Sequence, residues 1–216
     1  SQLLLHAASE ALGGAGWTAS ELGDGLPVIL GTSAGAMGCG EQFCQTALET
    51  PARRRGQATR VHLYQSQHQA LVLERAFGIR GPATLISNAC ASGANAIGQA
   101  FRFVKHGRCQ RAVAGGYDAL SQVVFAGFDS LQALTSQLPP RPFDRGRDGL
   151  ALGEGAAVVT LETLEAARER GATIIAEIVG YGTSTDIYHL TQPHPEGDAA
   201  FRSMSGACQE AGLDPS

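Results

Sequence analysis

Charge of one sign, paired cysteines and long apolar runs are all scarce in this chain. Charged residues fill 17% of its 216 positions and the net charge is only −4. Its one basic run is Arg53-Arg54-Arg55, with no stripe of Lys or Arg extending from it. Nucleic acid is therefore a poor partner, because neutralising phosphates needs such a stripe. The triplet reads as a solvated loop, or as a dock for an acidic partner. Cys39, Cys44, Cys90, Cys109 and Cys208 are odd in number, scattered, and form no CxxC pair. That argues against a disulfide framework and a zinc site, and for a reducing cytoplasm. The first residues show neither the basic start nor the apolar core of a secretory leader. No apolar run reaches the ~20 residues of a membrane-spanning helix. There is no GxxxxGK string, and Gly14-Ala15-Gly16 follows no strand, so nucleotide binding has no support.

Small and apolar residues are what the chain does have. With 44% hydrophobic residues it can fill a substantial core, and its 28 glycines point to tight turns and close backbone approaches. Leu3 to Leu12 reads as an amphipathic helix closed by Gly13-Gly14, and Leu26 to Leu30 as a buried strand ending at Gly31. A helix is expected around 39–48, a polar loop over 51–60, and another helix over 65–77 that stops at Gly78. Further strands are expected at 83–87, 111–116, 155–161 and 173–180, with a helix over 161–170 and a proline-rich loop over 138–148. Strands alternating with helices indicate a layered α/β protein.

Cys90 occupies the most informative position. A short apolar strand, Ala83 to Ser87, runs into Asn88-Ala89-Cys90-Ala91-Ser92-Gly93 and then into an apolar helix, Ala94 to Val104. A thiol at a helix N-terminus meets free backbone N–H groups and the positive end of the dipole, which favour a thiolate and hold an oxyanion. Local context leaves two readings open, a nucleophile or a buried structural cysteine.

Other motifs carry weaker chemistry. Gly31-Thr32-Ser33-Ala34-Gly35 matches the G-x-S-x-G elbow of serine hydrolases, with Ser33 as the nucleophile of that rival reading. In a chain so rich in Gly, Ala and Ser, it also reads as a packing turn. His189 and His194 lie in a loop without a carboxylate or thiol cluster, so no metal is expected. Phe143 to Gly149 alternates charges before Gly153-Glu154-Gly155; Asp148 and Glu154 are expected to belong to a buried polar network that holds glycine-rich backbone beside a site.

Six strings in order resemble one family: Asn88 to Gly93, Val113 to Gly116, Arg141 to Asp144, Arg147 to Gly149, Gly153 to Ala156, and Asp186 to Thr191. Together they resemble the β-ketoacyl–acyl carrier protein synthases, most closely the elongating type II enzymes of fatty-acid and polyketide assembly. The resemblance implies a thiolase-like α/β fold: two similar halves about a pseudo-twofold axis, with helices between and outside two mixed sheets. It implies a homodimer, with acyl carrier protein as partner. Cys90 would take an acyl group from a carrier thioester, and the acyl-enzyme would condense with a malonyl thioester after decarboxylation. No cofactor is implied beyond the carrier's phosphopantetheine. Ala34 falls where several relatives carry a bulkier Ile that limits the acyl pocket, and Phe128 matches a pocket-wall aromatic.

The chain departs from the family pattern in its histidines. The family uses one in an HGTGT-like string and one in a later GH-x-x-GA-like string preceded by a lysine; neither string occurs here. A Phe-containing glycine loop and the family's opening strand and helix are also missing. His106, at the far end of the Cys90 helix, stands roughly 20 Å from the thiol, too far to replace them. The expectation is a fragment incomplete at both ends and inactive alone, with residues 1–170 the N-terminal half of the fold and 171–216 the start of the other. The remaining alternative is a non-catalytic partner subunit that sets chain length. The cysteine argues against it, since such subunits usually replace that residue.

Overall fold

The computed structural model describes residues 2–23, 25–52 and 58–214. Its centre is β1, Val28–Gly31, four residues that are all fully buried. Such a run is apolar at every position because a parallel strand covered on both faces has no solvent side. β1 pairs in parallel with β2 (Ala83–Ile86) on one flank and with β3 (Arg111–Asp118) on the other. β4 (Gly155–Glu162) adds to β3 antiparallel, from Arg111 opposite Glu162 to Asp118 opposite Gly155. The order β2-β1-β3-β4 reverses the chain's lateral direction between β1 and β3.

Both faces are covered. On one lie α1 (Gln2–Ala15) and α4 (Gln67–Phe77), where Leu4, Ala8, Leu12, Ala70 and Leu73 pack on Val28, Leu30, Val113 and Tyr117. On the other lies α5 (Ser92–Lys105), whose Ala96 and Ala100 meet Ile29, Ala112 and Ala114. Small residues on this helix let it approach the sheet closely. The remaining helices are α2 (Met37–Glu49), α3 (Ala58–Tyr64), α6 (Gln122–Ser130), α7 (Leu164–Glu169) and α8 (Asp198–Glu210).

Several expectations need correction. α1 passes through Gly13-Gly14 and ends only before Gly16, whose φ of 64° breaks it. β2 is half-buried rather than buried, because it is the outer strand. The expected loop over 51–60 gives way to α3 at Ala58, and Arg53-Arg54-Arg55 lies outside the described residues. Leu161 and Glu162 stay in β4, and α7 starts after Thr163, whose hydroxyl accepts the Ala166 N–H at 3.2 Å. Residues 173–180 form no ladder, and Ile175 is 98% exposed. α8 was not foreseen.

Two glycines set how α5 meets the sheet. A Cβ at Gly31 would overlap the carbonyl of Ser92, and one at Gly116 would stand 3.1 Å from the Cα of Gly93. The first turn of α5 therefore rests on bare backbone at the ends of β1 and β3. Gly31→Ala should destabilise the fold by about 1–3 kcal/mol through overpacking. Gly13→Ala, in open space on α1, should stabilise it by about 0.5–1 kcal/mol. Urea unfolding of the two variants checks the opposite signs; equal effects would show that the α5 contact does not control stability.

Candidate active site

The chain leaves β2 through a tight turn before entering α5. Ala89, at φ 61°, begins a single 3-10 turn, Ala89–Ala91. A left-handed alanine costs about 1–2 kcal/mol, so the surrounding contacts must enforce it. Ser92, 1% exposed, supplies them: its hydroxyl accepts the Asn88 N–H at 2.9 Å and donates to the Ala89 carbonyl at 2.6 Å. The result lifts Cys90 off the buried sheet end and exposes it.

Cys90 opens into a cleft of about 420 Å³. Gly31, Thr32 and Ser33 from the end of β1, Gly116, Tyr117 and Asp118 from the end of β3, and Gly155 to Ala157 from β4 line it with the Cys90 turn. This is the crevice beyond the carboxyl ends of parallel strands, at the point where the winding reverses. In open α/β sheets ligands bind there.

Asp118 organises the β1 side of the cleft. Its carboxylate accepts the Thr32 hydroxyl at 2.9 Å and the N–H groups of Ser33, Ala34 and Gly35 at 3.0, 2.7 and 3.0 Å. Burial pushes the Asp118 carboxyl up, but these hydrogen bonds outweigh it and hold its pKa below the ordinary value. Tyr117, beside it, donates its hydroxyl to the Ser66 carbonyl at 3.0 Å, and burial pushes its pKa up to about 12. Sequence reasoning missed both residues. The available signal was an acid at the end of a glycine-rich strand, Gly115-Gly116-Tyr117-Asp118.

The other foreseen residues separate. Ser33 shares the cleft with Cys90. However, the Ala34 N–H, which a serine elbow would need for its oxyanion, is committed to Asp118. Ala34 lies in the Asp118-held turn and Phe128 is half-buried on α6; neither reaches the cleft's lining. His106 is at the distal end of α5. His189 Nδ1 accepts the N–H groups of Thr191 and Gln192, and His194 Nδ1 accepts that of Glu196, so both rings shape their own loop. Among the described residues no group of His, Cys, Asp and Glu could hold a metal ion. Asp148 and Glu154 do hold backbone, through Ser136 N–H at 3.1 Å and Leu120 N–H at 3.2 Å, but both are exposed, not buried as expected. Bonds from the Thr135 and Ser136 hydroxyls keep the Asp148 pKa down at about 2. No helix among the described residues is long and apolar enough to cross a membrane.

The chain is similar in sequence and in fold to known proteins. Residues 1–167 match the family described as beta-ketoacyl synthase, N-terminal domain. A 3-oxoacyl-[acyl-carrier-protein] synthase 2 of Staphylococcus aureus is 44% identical over 143 residues, which is 64% of this chain and 36% of that protein. A beta-ketoacyl synthase structure from Burkholderia phymatum superposes with a TM-score of 0.87 at 36% identity, covering 97% of this chain and 52% of the other. A type II polyketide ketosynthase, solved with its acyl-carrier protein, gives 0.88 at 27% identity, covering 99% and 55%. The chain thus spans about a third of the length of the curated relative and about half of the solved chains. The fold is that of the thiolase-like ketosynthases, and the chain belongs to the β-ketoacyl synthase family.

Proposed function

We propose that this chain is the nucleophile-bearing part of a β-ketoacyl-[acyl-carrier-protein] synthase, an acyltransferase of fatty-acid or polyketide synthesis, with Cys90 as the catalytic nucleophile. The observation that carries the reading is an exposed thiol on an enforced turn, in a cleft at the winding reversal of the sheet. In the first step the Cys90 thiol gives up its proton and its sulfur attacks the carbonyl carbon of an acyl carrier protein thioester. The tetrahedral oxyanion collapses, the carrier's thiol leaves with the proton, and the acyl group stays on Cys90. The N-terminus of α5 favours negative charge on that oxygen. In the second step a malonyl-carrier thioester loses carbon dioxide, and its carbanion attacks the acyl-Cys90 carbonyl and expels the thiolate. The residues of this chain provide for the first step. The second uses the two family histidines, whose strings do not occur in these 216 residues. No cofactor is required beyond the carrier's phosphopantetheine.

Ala34 and Phe128 are proposed to bound the acyl chain, with Ala34 leaving room where a bulkier residue would shorten the pocket. Residues 1–170 are taken as one half of the fold and 171–216 as the beginning of the second. The outer edge of β2 carries no strand among the described residues, which suits pairing with a second copy in a homodimer. Five free cysteines suit a cytoplasmic setting. The presence of Cys90 weighs against a non-catalytic chain-length partner.

Three experiments bear on this reading. An epoxide inhibitor of the cerulenin type should label the intact enzyme once, at Cys90, and Cys90→Ala should abolish acyl transfer while Ser33→Ala keeps it; labelling at Ser33 would favour the hydrolase instead. Ala34→Ile should move the preference toward shorter acyl chains, read from the product profile. Asp118→Asn turns a donor toward backbone N–H groups and should cost about 1–3 kcal/mol. Because folding lowers the Asp118 pKa, its contribution is complete above the unfolded value, about 3.9, and is lost as pH falls through the lower folded value. Urea midpoints measured downward from neutral pH should therefore fall less steeply for the variant than for the unmodified protein.

A further inference from the structure

The segments that follow β1 and β3 hold each other by carboxylates pointing in opposite directions. Asp118, at the end of β3, reaches across to the N–H groups of Ser33, Ala34 and Gly35, and the Ala119 N–H returns a bond to the Gly35 carbonyl at 3.3 Å. Glu41, in the first half of α2, reaches back. Its two oxygens accept the N–H groups of Gln122 at 3.2 Å and Val123 at 2.6 Å, the first residues of α6. Ser121 completes that end by accepting the Val124 N–H at 3.3 Å.

The second carboxylate matters because packing does not replace it. Neither α2 nor α6 contributes a single fully buried residue. Deeply buried side chains therefore do not set the spacing of these two helices, whereas α1, α4 and α5 each carry residues buried in the core. Charge-assisted bonds to backbone N–H groups are about twice as strong as neutral ones, and here two of them converge on one side chain. α2 also passes close at this point: a Cβ on Gly38 would stand 3.6 Å from the Leu120 carbonyl. Ala34 leads into α2 and Phe128 lies on α6, so the two elements proposed to bound the acyl chain are the two that Glu41 joins.

We propose that Glu41 is a positioning residue that sets which acyl chains are transferred to Cys90, by latching α6, which carries Phe128, to α2, which Ala34 leads into. The inference rests on the acyltransferase reading above. Its test uses the full-length protein, unmodified and as Glu41→Gln and Glu41→Ala. Acylation of Cys90 is followed by mass spectrometry with hexanoyl and myristoyl thioesters of pantetheine, and alkylation of Cys90 with iodoacetamide, which does not use the acyl pocket. Alkylation should proceed at the unmodified rate in both variants. The ratio of kcat/KM for myristoyl over hexanoyl should change by about tenfold in Glu41→Ala, the scale on which an apolar pocket discriminates chain length, mainly through KM. Glu41→Gln should change it less, since the amide oxygen still accepts one N–H. An unmoved ratio, or an equal loss with both thioesters, overturns the role of Glu41 while leaving the acyltransferase intact. Failure of the unmodified protein to take either acyl group onto Cys90 overturns the acyltransferase reading, and this inference with it.

Discussion

The seat of α5 on the ends of β1 and β3 governs the geometry of the cleft. With no Cβ on Gly31 or Gly116, the backbone at Ser92-Gly93 comes down onto the strand termini. That contact buries the Ser92 hydroxyl, and the buried hydroxyl must then find partners. It finds them in the Asn88 N–H and the Ala89 carbonyl, which closes the turn and holds Ala89 left-handed. The exposure of Cys90 is the far end of this sequence of constraints. A bulkier residue at either glycine would release the turn without touching the sulfur.

Carboxylates do at the cleft's edges what side-chain packing does in the core. Turns and helix starts at these edges present free backbone N–H groups, and acids, from distant segments or from the same loop, accept them. Asp118, Glu41 and Glu154 do this around residues 33–35 and 120–123, and Asp186 does it for Tyr188 and His194 at 2.9 and 2.8 Å. This explains how a chain with only 17% charged residues spends so many of its acids on its own main chain. It also fixes the polarity of the device: Asp118 and Asp186 accept their several N–H groups as carboxylates, and those bonds hold the pKa of each below its ordinary value.

Local signals were legible and reciprocal ones were not. β1 is legible because every residue from Leu26 to Leu30 is apolar, and α5 because small and apolar residues run from Ala94 to Val104. The Cys90 turn followed from the strand, the glycine and the helix in a row. Asp118 stayed hidden because the backbone it holds at Ser33 lies 85 residues away in sequence. Gly13-Gly14 reads as a stop on intrinsic propensity, yet Leu4, Ala8 and Leu12 on the sheet carry α1 past it. The 173–180 run has the composition of a strand, but a ladder belongs to two segments at once, and one segment's pattern cannot supply its partner. The same holds for β2, whose apolar residues suggested burial while its outer place in the sheet leaves it half-covered.

The chain beyond residue 173 is nonetheless tied to α5, the helix that follows Cys90. The ring of Tyr181 occupies the space left by Gly98, and its hydroxyl donates to Asn95 Oδ1 at 2.5 Å. Its N–H donates to Glu210, which in turn pairs with Lys105 at 2.9 Å, and the Arg102 guanidinium lies 5.1 Å from the ring. Asn95, Gly98, Arg102 and Lys105 form one helical stripe on α5, distinct from the Ala96–Ala100 stripe that faces the sheet. α5 is thus held on two sides: by apolar packing toward β1 and β3, and by the Tyr181 ring and the Lys105–Glu210 ion pair toward α8. A helix held on only one side could roll about its axis and carry its first turn with it. The second attachment removes that freedom, so the position of Cys90 depends on residues more than ninety places further along the chain.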